Sequence, residues 1–201
     1  MKRTAIGLVG PIASGKGEVV KYLKSLGFIC FSLSDRVREE AFSLGIPPQR
    51  ENLQNIGNSL RNTFGSHILA ERSLELLSGD EELLVFDGLR NPSEIEFLCE
   101  SLDIHIIGIN ASEENRLKWY LERAGIRGED GLTEADFHLA NNRDLGQSEP
   151  ESGQQVSVCL EMADEIIQND GSKRHLREAV DYLLISEFGI SPEGLRHSKE
   201  K

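Results

Sequence analysis

The chain is poor in thiols: its 201 residues include only Cys30, Cys99 and Cys159, with no CxxC pair among them. That excludes a disulfide framework and a cysteine-rich zinc module. Each cysteine lies in or beside an apolar segment, so reduced core thiols are expected. The five histidines show no HExxH or other ligand spacing, so no zinc site is expected. No apolar run approaches the ~18–20 residues a membrane span needs. The opening "MKRTAIGLVGP" carries two basic residues, but its apolar stretch is cut off by Gly10-Pro11, too early for a signal-peptide core. A cytoplasmic protein without a membrane partner is expected. There is no internal repeat and no low-complexity tract.

Basic charge is outweighed by acidic: 22 Lys and Arg stand against 34 Asp and Glu, a net charge of −12. Such a surface repels a nucleic-acid backbone, so no nucleic-acid partner is expected. The basic residues are unevenly placed by type. Between Ser25 and Ser172 there are ten arginines and one lysine, Lys118, whereas lysine outnumbers arginine seven to four elsewhere. Arginine presents a planar, forked donor set that matches phosphate oxygens. The middle of the chain is therefore a candidate for gripping phosphates, with pairing to surface carboxylates as the alternative.

Apolar periodicity alternates short strands with helices. Strands are predicted at "TAIGLVG", "FICFSL", "ELLVFDG", "DIHIIGIN" and "DEIIQNDG". Helices are predicted between them, and Ser172–Phe188 forms the last. In "RENLQNIGNSLRNTF", Leu53, Ile56, Leu60 and Phe64 read as the inward face. Arg50, Gln54, Asn58 and Arg61 form an outer stripe, read first as a solvated face and second as a substrate-selecting surface. The pattern implies an α/β fold: a five-stranded parallel sheet with helices on both faces. Ligands of such sheets sit at the carboxyl ends of the strands, and Lys16, Asp35, Asp87, Asn110 and Asn169 each follow one. One domain over residues 1–188 is expected, with an acceptor-binding insertion at about 34–78, a lid at about 124–153, and a flexible tail over 189–201.

The most specific motif is "GPIASGKGE", residues 10–18. Between a strand and a helix, Gly10 and Gly15 let the backbone amides of Ala13, Ser14, Gly15 and Lys16 point inward, and Lys16 can reach outer phosphates. Gly17 stands where the strict pattern places a magnesium-binding hydroxyl.

This loop resembles GxPGSGKGT of adenylate kinase and related nucleoside monophosphate kinases, where Gly also follows Lys. The chain is therefore read as a P-loop nucleotide kinase, with ATP and Mg2+ as the implied donor and metal. Glu18 departs from the family's Thr; it either helps place the metal through water or points away on the helix, the second being favoured. "SLSDRVR" resembles STGDMLR and implies Asp35 and Arg38 at the acceptor phosphate. "LLVFDGLR" resembles a strand ending in DG, shorter than the DGFPR of adenylate kinases. It implies Asp87 as a water-mediated magnesium ligand and Arg90 as an acceptor clamp, which Arg61 would join.

"INASEENRLKWYLERAGIRGED" resembles the entrance of the lid. Arg116 is implied at the donor nucleotide, and Arg123, Arg127 and the returning Arg143 at the transferred phosphoryl group. "ADEIIQNDGS" resembles the last strand and turn of dephospho-CoA kinases, which implies Asn169 and Gly171 beside the donor base. The implied activity is transfer of the γ-phosphoryl group of ATP to a nucleoside monophosphate or similar nucleotide. Dephospho-CoA is the alternative acceptor. A regulatory ATPase or switch without a small-molecule acceptor is the second alternative, and a non-catalytic nucleotide-binding module the third. A monomer or homodimer is expected.

Overall fold

A computed structural model describes residues 4–198; the side chains of Arg127, His197 and Ser198 also lie outside the described residues. In chain order the elements are β1 (Thr4–Val9), α1 (Lys16–Leu26), β2 (Ile29–Ser32), α2 (Leu33–Ser43), α3 (Arg50–Phe64) and α4 (Ile68–Leu74). β3 (Leu83–Leu89), α5 (Pro92–Ser101), β4 (Ile104–Asn110), α6 (Glu113–Arg127) and α7 (Glu134–Leu145) follow. The chain continues through α8 (Val156–Glu161), β5 (Glu165–Gln168), α9 (Lys173–Phe188) and α10 (Pro192–Ser198).

The strands form one parallel sheet in the order β2-β3-β1-β4-β5. The central strand β1 alternates its side chains between two cores, as period-two geometry requires. Ala5 and Val9 face α2–α5 and α8, among Leu69, Phe86 and Leu98. Ile6 and Leu8 face α1 and α9, among Leu23, Val180 and Leu184. Both faces of the sheet are thus covered, which explains why its strands read as continuous apolar runs.

Helix ends follow local chemistry. Asn91 accepts from Ser93 N–H, and the Glu94 side chain returns to the Asn91 amide, a capping box ahead of Pro92. Thr133 and Asp136 make the same exchange before α7. Gly27 closes α1 in the left-handed region, its amide bonded to Leu23 O.

Four sequence expectations are corrected. Beyond Gly189 the chain is not patternless: α10 docks, with Ile190 and Leu195 packed on the α1/α9 core. Its Arg196 donates to Tyr22 Oη at 2.5 Å, and Tyr22 in turn donates to Asp181. Phe64 is exposed rather than inward, with the Arg72 guanidinium 5.3 Å above its ring. Cys99 is exposed rather than in the core, whereas Cys159 is buried. The stripe of α3 is not solvated: Gln54 and Arg61 are buried, because α7, α8 and the segments flanking them cover that face. Periodicity cannot reveal a cover contributed by polar residues 90 positions away. No described helix is long and apolar enough to cross a membrane.

Ending the chain after Gly189 should therefore lower the unfolding free energy by about 2–4 kcal/mol, through loss of apolar burial at Ile190 and Leu195. Tyr22→Phe should cost about 1 kcal/mol. Urea unfolding midpoints measure both, and unchanged midpoints would contradict the docking of α10.

Candidate functional site

The loop between β1 and α1 is shaped by positions at which side chains do not fit. Gly10 has φ 154, and a Cβ there would lie 2.1 Å from Ile109 O. Gly15 has φ 104, and a Cβ there would lie 2.2 Å from Asn169 Nδ2. Both positions require glycine. Ala13 is held at φ 61, a local strain that the surrounding contacts must maintain. The amides of Ala13, Gly15, Lys16 and Gly17 have no partner among the described residues. They converge at the N-terminus of α1, where the helix dipole adds positive potential. This is an anion cradle.

Lys16 folds across the mouth of the loop. Its ammonium donates to Gly10 O and, at 3.1 Å, to Pro11 O. Burial and then the Arg90 guanidinium press its pKa down to about 8, while Asp144 and Asp87 pull it up and Arg123 adds a smaller downward push. At the end of β3, Asp87 has a buried Oδ1 with no partner. Burial raises its pKa, against the pull of Lys16 and Arg90. A buried carboxylate oxygen left unsatisfied is costly and marks a place that a ligand or hydrated cation would complete. Its oxygen donor suits magnesium, and Gly17 supplies no hydroxyl ligand beside it.

Opposite the loop, α2, α3 and the end of β3 enclose a cleft of about 30 Å³, lined among others by Arg38, Arg50, Gln54, Arg61 and Arg90. Buried Arg61 donates to Glu94 at 2.8 Å, yet its Nη1 has no partner. Glu94 is itself fully used, accepting from the amides of Arg90 and Asn91. A second cavity of about 300 Å³ adjoins Arg50 and Arg143, between α3, Tyr120 and residues 128–131.

Residues of the segment read as a lid pack against the loop. Phe137 and Ala140 of α7 pack with Tyr120 against Ile12 and Ala13 of the loop. Carboxylates accompany them. Glu129 accepts from Arg38 Nε and Nη2 at 2.8 and 2.9 Å. Asp130 accepts from Arg50 and Arg123, which hold its pKa down although burial alone would raise it. Asp144 accepts from Arg90 and from the Ile12 amide, and Glu149 from Arg143 at 2.7 Å.

The sequence-derived site residues fare unequally. Gly10, Ala13, Ser14, Gly15, Lys16, Gly17, Asp87, Arg38, Arg61 and Arg90 are brought around one edge of the sheet. Asp35 is there too, exposed and 3.1 Å from Arg38 Nη1. Glu18 instead pairs with Lys21 and Lys173, at 3.0 and 3.3 Å, on the outer side of α1. Arg116 donates to Ala111 O, Ile12 O and Asn141 Oδ1, as a buried brace. Asn169 bonds Ser14 O at 2.9 Å and holds the loop from beneath. Gly171 sits in an exposed turn before α9. Arg123 and Arg143 are engaged by Asp130 and Glu149, and the side chain of Arg127 lies outside the described residues. Glu94, Glu129, Asp130 and Asp144 were not anticipated. Their contacts span up to 132 residues, and only the clustering of acids beside arginines in "RGED" and "NNRD" hints at them.

Among the described residues no group of His, Cys, Asp and Glu is arranged to hold a metal by itself. No family model matches the chain. A UPF0200 protein of Thermoplasma volcanium is 34% identical over 187 residues, spanning 91% of this chain and 97% of that protein. Among solved structures, shikimate kinase from Aquifex aeolicus superposes with a TM-score of 0.52 at 18% identity, covering 93% of this chain and all of that one (100%). Shikimate kinase from Acinetobacter baumannii, in complex with shikimate, gives 0.54 at 18% identity, over 92% and 95%. These neighbours share the P-loop kinase fold, and they favour neither adenylate kinase nor dephospho-CoA kinase in particular. The sequence match runs through nearly the whole of both proteins, and on that ground the chain belongs to the UPF0200 family.

Proposed function

We propose that the protein is an ATP-dependent phosphotransferase that moves the γ-phosphoryl group to a small acceptor already bearing a phosphate, a nucleoside monophosphate or similar nucleotide. The observation that carries this reading is the second anion seat. Across from the loop amides, the cleft holds Arg38, Arg50, Arg61 and Arg90, and Arg61 Nη1 is buried without a partner. A nucleotide switch needs the first seat and has no use for the second. An acceptor arriving as a phosphate is its own nucleophile, so no general base is needed.

In this reading the loop amides and Lys16 hold the donor polyphosphate, and Lys16 draws charge from the group in transit. Magnesium, when bound, neutralises part of the polyphosphate charge; Asp87 is the residue that would hold it, through water. Arg38 and Arg90 orient the acceptor phosphate, and the lid helices exclude water from the cradle. Arg123 and Arg143 would join in this reading by exchanging their carboxylate partners, Asp130 and Glu149, for phosphate oxygens.

A second reading, a regulatory ATPase, draws on one observation: Arg38, Arg50 and Arg90 are all engaged by carboxylates of the chain itself. ADP release separates the two. It should rise at least tenfold when the right member of a nucleoside monophosphate panel is added; a rise with dephospho-CoA alone, which would accept on a hydroxyl, would move the reading to that alternative acceptor. Release indifferent to every acceptor would support the ATPase.

Lys16→Met should lower turnover by about 10²–10³-fold, the scale for losing one transition-state charge contact. Arg38→Ala should raise the acceptor KM tenfold or more and leave the ATP KM within twofold. The reverse pattern in steady-state kinetics would exchange the two seats.

The pH dependence has a definite sign. In the free protein Lys16 is half neutral near pH 8, because burial and Arg90 disfavour its charge more than Asp144 and Asp87 favour it. A polyanion binds the protonated form, so the Lys16 contribution to affinity falls as the pH rises above about 8, by up to about tenfold per pH unit. Calorimetry with a non-hydrolysable ATP analogue should show this break, and Lys16→Met should abolish it.

A further inference from the structure

The lid helix α7 touches the phosphate loop through one fully buried carboxylate, Asp144. Its Oδ2 accepts from the Ile12 amide at 2.7 Å, and its Oδ1 accepts from Arg90 Nη1. Ile12 belongs to the loop that cradles the donor, and Arg90 lines the opposite cleft. A single side chain therefore spans the two anion seats. The rest of the Ile12 peptide is gripped from the same direction. Arg116 Nη1 donates to Ile12 O at 3.4 Å and to Asn141 Oδ1 of α7 at 2.5 Å, and Phe137 and Ala140 pack on the Ile12 and Ala13 side chains. Both oxygens of Asp144 are satisfied only while the loop, Arg90 and α7 keep this arrangement. A buried carboxylate that lost either partner would be strongly disfavoured, so the three parts are coupled.

We propose that Asp144 is a positioning residue that seats the phosphate loop and Arg90 against each other, so that the lid helix sets the separation of the donor and acceptor anion seats. The proposal rests on the phosphotransferase reading above and adds a residue that the resemblance to nucleotide kinases did not supply. Asp144 acts through the Ile12 amide and the Arg90 guanidinium and touches no reacting atom. It carries a second, separable influence. Lys16 is faced by Asp144 and Asp87, which favour its charge, and by Arg90 and Arg123, which oppose it along with burial. Removing the Asp144 charge shifts that balance toward the neutral amine.

Asp144→Asn keeps the shape, removes the charge and leaves one acceptor oxygen where Asp144 uses two, so it can accept from the Ile12 amide or from Arg90 but not from both. It should lower kcat ten- to a hundredfold and raise the acceptor KM at least threefold. In ATP-analogue calorimetry the alkaline break in affinity should move to lower pH. Asp144→Glu, the second variant, keeps the charge but displaces it by a methylene; the break should stay near its wild-type position while kcat still falls. In the Arg90→Gln background, Asp144→Asn should cost less than a third of its effect in the wild type. Protection of the Ile12 amide from hydrogen exchange needs no ligand: it should be lost in Asp144→Ala, which removes both acceptor oxygens, while α1 amides remain protected. An unmoved break with kcat and KM within twofold, unchanged protection at Ile12, or a loss of activity matched by loss of folded protein would each overturn the proposal. Failure of the phosphotransferase reading would appear separately, as wild-type protein that consumes no ATP with any acceptor.

Discussion

Positive charge gathered at the carboxyl edge of the sheet is the constraint to which the rest of the molecule answers. Four loop amides without partners among the described residues, the N-terminus of α1, Lys16 and the arginines of the cleft gather near the carboxyl ends of β1 and β3. Glycine makes the cradle, and Asn169 closes the space beneath it. Such a concentration cannot be left bare in a partly dehydrated site. The protein answers it with its own carboxylates. Glu129 and Asp130 face Arg38, Arg50 and Arg123, while Asp144 faces Arg90 and lies close to Lys16. These groups come from the lid segment and the end of α7, so electrostatic need and lid position are the same fact seen twice.

That arrangement bears on exchange of ligands. In the proposed reaction a phosphate entering the cleft would meet arginines that are already oriented and partly desolvated, which reduces the cost of ordering them on binding. It must also displace carboxylates, which selects for a group of higher charge and more acceptor oxygens than a single carboxylate has. Among the described residues six buried side-chain atoms have no partner, and two of them, Nη1 of Arg61 and Oδ1 of Asp87, belong to ionisable groups of the candidate site. One is a guanidinium donor and the other a carboxylate acceptor.

Much of this was legible in the sequence. "TAIGLVG" reads as a buried strand and forms β1, and "GPIASGKGE" between it and an amphipathic segment reads as a phosphate loop. Strand and helix alternation led to the five-stranded parallel sheet observed. Less was legible where polar residues are buried by polar covers. The α3 stripe of Gln54 and Arg61 has the composition of a wet surface and is buried, because Gln154, Ala140 O and Glu94 reach it from elsewhere in the chain. Arg116 has the spacing of a lid arginine, yet its guanidinium is consumed by two backbone carbonyls and Asn141. Glu18 occupies a motif position, and its helix phase turns it toward Lys21 and Lys173.

The sequence by itself determined the order of strands and helices, the phosphate cradle and the pool of arginines, because these follow from local spacing: period two, period 3.6, and glycines where a backbone must turn. Only the tertiary structure decided which arginines face the cleft, which serve as braces, and that Asp144 joins the loop to Arg90. Those choices depend on side chains separated by tens to more than a hundred residues meeting in a volume with little water, where a charge is kept only beside its opposite.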